Sequence, residues 1–167
     1  NGFEIVGAST SPANPLGTKS LYLFDRSPGN PSHWRGPFAG GSNVSNVRVD
    51  FDFRRGFLDV DASDADNRFH FAVGRVGDSL NNSDFRMFEI RIVNNGDLIV
   101  NSMTRSSSAG THLISATNHL TVLANSHDTV ATAYTDSTLG SGSLEPNTLK
   151  VFLNNVDLGT FPFHRTP

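Results

Sequence analysis

No cysteine occurs in the 167 residues of this chain, so neither a disulfide framework nor a thiolate metal site can hold it together. No apolar run approaches the roughly 20 residues that a membrane-spanning helix needs, and no membrane partner is expected. Nucleic acid is not expected either, because a net charge of −3 comes without a clustered basic surface. Helical patterning is missing as well: no window sustains an apolar stripe at i, i+3, i+4 and i+7. The chain starts at Asn1 with no charged-then-apolar leader, as a mature or excised piece would. Its length suits one domain, expected over residues 1–167, large enough to bury a sizeable core.

Lysine is nearly missing too, and of 13 basic residues only Lys19 and Lys150 are not arginine. Arginine presents a planar fork of donors suited to carboxylates, sulfates and hydroxyls, where lysine is a point charge. Codon bias in a GC-rich genome explains the same skew.

What the sequence has in quantity is period-two alternation. "VRVDFDF" sets Val47, Val49, Phe51 and Phe53 on one side of a strand and Arg48, Asp50 and Asp52 on the other. "RFHFAVGR" repeats the pattern with Phe69, Phe71 and Val73 against Arg68, His70 and Gly74. "FRMFEIRIV" turns at Asn94-Asn95-Gly96 and returns as "DLIVNSM", a hairpin signature. Further strands are predicted at "FEIVG", "SLYLFD", "HLTVLAN", "VATAYT", "LKVFLN" and "VDLGTF". About ten short strands punctuated by Pro, Gly, Ser and Asn indicate an all-β fold, a two-sheet antiparallel sandwich or jelly roll.

The segments "NHLTVLANSHDTVATAYTD" and "PNTLKVFLNNVDLGTF" resemble the second half of concanavalin A-like, laminin-G-like sandwiches. In those folds a strand ending in Asn, a turn and a Tyr-bearing strand precede a strand that ends in an "LNN" hairpin. "SLYLFD" and "VRVDFDFR" resemble the early strands, so the likeness spans residues 20–161. It implies a curved sandwich with one concave face. It also implies a secreted or cell-surface, non-catalytic carbohydrate-binding module, attached to a polysaccharide-degrading catalytic domain and binding a polysaccharide or oligosaccharide.

Candidate contacts follow from the alternation. With the apolar residues inward, Arg48, Arg54, Arg68, His70 and Arg91 fall on polar faces, along with Asp50, Asp52 and Glu89. Such a face can hold a sugar chain, or it can be an ordinary solvated surface with cross-strand charge pairs. Trp34 and Arg35 sit in "NPSHWRGPF", where the ring is either a stacking platform or a plug at the end of the core. The arginine bias makes a carboxylated or sulfated glycan the first expectation. The net negative charge points the other way, and the choice stays open.

A structural calcium ion is a candidate cofactor at Asp59, Asp61, Asp64 and Asp66, since calcium takes six to eight oxygen ligands. An EF-hand is excluded there: Asp64 stands where its glycine is required and His70 where its bidentate Glu belongs. A solubilising turn between strands is the competing assignment. Glu4 with Asp157 forms a second calcium candidate, by analogy with calcium-binding jelly rolls.

No catalytic motif stands out. There is no H-E-x-x-H and no G-x-S-x-G. With Glu only at positions 4, 89 and 145, the E-x-D-x-x-E pattern of sandwich-fold glucanases is also missing. The rival enzyme is a small jelly-roll polysaccharide lyase, with His70 as base, Arg68 and Arg91 on the uronate, and Tyr134 or Tyr22 as acid. The strand motifs of such lyases do not occur here. A protein-binding or adhesive sandwich module is the remaining alternative.

Overall fold

The computed structural model describes residues 2–7, 19–24, 46–53, 69–74, 86–92, 98–101, 103–106 and 117–163. The chain divides into two compact units, Asn1–Gly41 and Ser42–Pro167. In the first, β1 (Gly2–Gly7) and β2 (Lys19–Phe24) pair antiparallel, with Glu4 opposite Tyr22. All the other strands belong to the second unit.

That unit is all-β and antiparallel among the described residues. One four-stranded sheet has the order β12-β11-β8-β3, formed by Val156–Pro162, Thr148–Leu153, Asn118–Asn125 and Asn46–Phe53. A second has the order β4-β5-β6-β7, formed by Phe69–Gly74, Arg86–Ile92, Leu98–Val100 and Met103–Ser106. Strands β9 (Thr132–Asp136) and β10 (Gly140–Leu144) make a separate hairpin.

The two larger sheets share one core, in a sandwich-like arrangement. Leu120, Val122, Leu149, Val151 and Phe161 of one sheet cluster with Val73, Phe88, Ile90, Leu98 and Val100 of the other. Aromatic rings cross between the sheets, with Phe51 and Phe71 centroids 5.5 Å apart. The alternation in "VRVDFDF" is realised as expected: Val47, Val49, Phe51 and Phe53 face this core, while Arg48, Asp50 and Asp52 lie outside it.

Strand β8 departs from simple alternation, being buried at every position except His119. Its inner residues enter the core. Its outer residue Leu123 joins Leu144 and Phe152 in a second, smaller cluster, flanked by Tyr134 and Leu139 of the β9–β10 hairpin. The hairpin therefore lies on the outer face of the β12-β11-β8-β3 sheet. Asn125, fully buried, secures it: its amide donates to the Val130 and Leu144 carbonyls, and its Oδ1 accepts from the His127 amide. Strand β10, "GSGSL", was not among the expected strands. Its cross-strand pair Gly142–Tyr134 explains the composition, because a Cβ at Gly142 would come within 2.7 Å of Tyr134 Oη.

Asparagines occupy every described non-glycine position of positive φ. Asn154 and Asn155, at φ 51° and 67°, form the two-residue connection from β11 to β12 that a type I′ hairpin requires. Asn101, at φ 46°, fastens one sheet to the other. Its amide nitrogen and Oδ1 bond the Glu89 backbone, and its Nδ2 donates to the Pro162 carbonyl at 2.7 Å.

Replacing Asn101 by Ala leaves the Glu89 N–H and the Pro162 carbonyl without their side-chain partner in a buried setting. A loss of about 2–4 kcal/mol of stability is expected, read from the midpoint of urea unfolding. An unchanged midpoint would show that the bridge contributes nothing to holding the sheets together.

Candidate functional site

On the outer face of the β12-β11-β8-β3 sheet, beside the hairpin, lies an open depression of about 340 Å³. Arg48, His119, Thr121, Asp136, Ser137, Thr138, Leu139 and Asn155 line it. Strand β3 supplies Arg48, β8 supplies His119 and Thr121, and the β9–β10 turn supplies the far wall. All of these elements are antiparallel or tightly turned, so the lining is carried on rigid backbone.

Register decides which side chains meet. Asp50 stands opposite Thr121 and Asp52 opposite His119. Thr121 Oγ1 donates to Asp50 Oδ1 at 2.7 Å, and His119 Nδ1 lies 2.8 Å from Asp52 Oδ1. A carboxylate only accepts, so Nδ1 carries a hydrogen. Thr121 Oγ1 also lies 3.2 Å from His119 Nε2.

Arg48 ties the sheet to the turn. Its Nε and Nη2 grip Asp50 at 2.6 and 3.2 Å, and its Nη1 donates to Asp136 Oδ2 at 2.7 Å. Asp136 Oδ1 meanwhile accepts from the Thr138 and Leu139 amides, closing the turn on itself. The Arg48 bond, followed by these two amides, holds the Asp136 carboxyl down to about 2. The same guanidinium holds Asp50 below the ordinary carboxylate range, against a partial burial that pushes it up.

Two of the expected contacts, Arg48 and Arg91, have described side chains, and they lie on different sheets. Arg48 is on the outer face of one sheet. Arg91 belongs to β5 in the other, beyond the shared core, with His70 at the register position opposite it. Arg91 and Arg48 therefore cannot line one groove. Glu89, placed on the polar face with Arg91, is only 3% exposed, and it pairs with Arg91 at 3.4 Å. Tyr134 lies in the hairpin cluster, on the far side of the core from His70 and Arg91.

Trp34, Arg35, Arg54 and Arg68 lie outside the described residues, as do Asp59, Asp61, Asp64 and Asp66 of the calcium candidate. Among the described residues no group of three or more His, Asp or Glu side chains is arranged to hold a metal ion. Asp157 of the second calcium candidate receives Lys150 Nζ at 2.7 Å and the Gly159 amide at 2.8 Å.

His119, Thr121 and Asp136 were missed from sequence. Alternation in "NHLTVLAN" does set His119 and Thr121 on one face, but nothing local says that β3 is the neighbouring strand. No protein-family model, curated protein or solved structure matches the chain.

The Arg48 pairing carries a pH signature. Asp136 titrates lower in the folded chain than its ordinary 3.8, so the folded form binds fewer protons across that interval. The stabilisation is complete above the ordinary value and is lost as pH falls through about 2. The stability gap between the parent protein and Arg48→Gln is therefore expected to be constant above about pH 5 and to shrink on acidification. Urea melts across that range check it, and a pH-independent gap would show that Arg48 acts by packing alone.

Proposed function

We propose that this chain is a non-catalytic carbohydrate-binding module with a concanavalin A-like, jelly-roll sandwich fold, and that the depression beside β3 and β8 is its glycan site. The observation that carries this reading is the lining itself. Arg48, His119, Thr121, Asp136, Thr138 and Asn155 present hydrogen-bonding groups from strands and tight turns within one concave surface. Sugar rings are recognised by such convergent polar groups held on a stiff frame. The ion pairs from Arg48 to Asp50 and Asp136 pre-organise the lining, so little ordering entropy remains to be lost when a ligand arrives.

In this reading the module is secreted or held at the cell surface, joined covalently to a polysaccharide-degrading catalytic domain. It raises the local concentration of that domain at its substrate by tethering.

Affinity gel electrophoresis through polysaccharide-containing gels tests the assignment. The parent protein is expected to be retarded, and His119→Ala to bind roughly 10-fold more weakly, because its ring lines the depression and contacts Asp52 and Thr121 beside it. An unchanged thermal midpoint in the variant shows that the fold is intact. Retardation undiminished by His119→Ala would remove the depression as the site.

A further inference from the structure

We infer that the glycan bound in this depression carries an acetyl group, whose carbonyl oxygen accepts from Arg48 and whose methyl rests on Leu139; this rests on the carbohydrate-binding reading above. A guanidinium has five N–H donors. In Arg48 three of them are committed, two to Asp50 and one to Asp136. Two remain, on a side chain that lines the depression and is 48% exposed. The bonds to the two carboxylates fix the plane in which these donors lie, and charge-assisted donors bond more strongly than neutral ones. Asp136 does not rival them as a contact. Its Oδ2 takes Arg48, its Oδ1 takes the Thr138 and Leu139 amides, and its side chain is 16% exposed. What the ligand must bring to this spot is an acceptor.

The same carboxylate determines what stands beside the donors. Asp136 Oδ2 receives Arg48 Nη1 at 2.7 Å, and its Oδ1 receives the Leu139 amide at 2.8 Å. Arg48 and Leu139 are therefore fastened to the two oxygens of one carboxyl group. Among the described residues of the lining, Leu139 is the only apolar one. It packs against the Leu123, Leu144 and Phe152 cluster and is only partly buried there.

A charged donor pair next to an apolar side chain fits a group that joins an acceptor oxygen to a methyl. The hydroxyl of a plain sugar supplies the acceptor but leaves Leu139 without an apolar partner. A carboxylate supplies no methyl either, and it would be the third on a guanidinium that already holds two. An acetyl group, as amide or as ester, has both parts and no charge. Ser137, Thr138 and Asn155 remain in the lining for the hydroxyls of the sugar ring.

Matched ligand pairs test the inference by isothermal titration calorimetry of the intact chain. N-acetylchitohexaose is set against cellohexaose, which has hydroxyls in place of the acetamido groups. Acetylated xylan is set against the same xylan after alkaline deacetylation, and polygalacturonate is the anionic probe. In at least one pair the acetylated member is expected to bind about tenfold more tightly, with its partner held more weakly in the same depression. A preference in the first pair identifies an amide, and one in the second an ester. Arg48→Gln is expected to bring that preference to about onefold, a ratio taken within one protein that a modest loss of stability does not mimic. Equal affinity within both pairs, tightest binding to polygalacturonate, or a preference undiminished in Arg48→Gln would overturn the inference while leaving the carbohydrate-binding reading standing. No binding to any of these ligands would also overturn it, and with no retardation in polysaccharide gels the carbohydrate-binding reading would fall as well.

Discussion

Strand β8 is buried on both faces, and most of the second unit's architecture follows from that one constraint. A strand in this position cannot leave its polar side chains to water, so each must find a partner inside the protein. Asn118 receives the Asn154 amide, fixing the β11–β12 turn against it. Thr121 donates to Asp50 and thereby fixes a carboxylate on β3. Asn125 holds the β9–β10 hairpin across the outer face. His119, the one position only partly buried, carries the chain of bonds out to the surface. The depression forms where this satisfied interior meets solvent.

The site is therefore a by-product of a structural need, given chemical character by what happens to stand opposite β8. Arg48 and Asp136 extend the same network across to the hairpin turn, so the wall of the depression and its floor are one bonded unit.

Strand positions were readable from sequence wherever side chains alternate. The "VRVDFDF" strand has the inward and outward residues that its pattern implies, and the "LNN" turn has the paired asparagines its backbone needs. Strand β10 escaped notice because "GSGSL" carries no apolar periodicity; its glycine is there to admit the Tyr134 ring. Glu89 was misjudged for a different reason. Alternation sets the face on which a residue lies, but not whether another part of the chain covers that face. Sheet order was the least readable feature of all. Pairing β3 with β8 joins residues about seventy positions apart, and only that pairing brings Arg48 to Asp136 and parts it from Arg91.

The most direct test of this account is an amide-resolved NMR titration of the intact chain with a neutral hexasaccharide of β-1,4-linked glucose and an anionic one of α-1,4-linked galacturonate. The account predicts chemical-shift changes concentrated at residues 48–52, 119–121, 136–139 and 155, together with the ring nitrogens of His119. Changes clustered instead on β4 and β5 around His70 and Arg91, or none with either sugar, would contradict it.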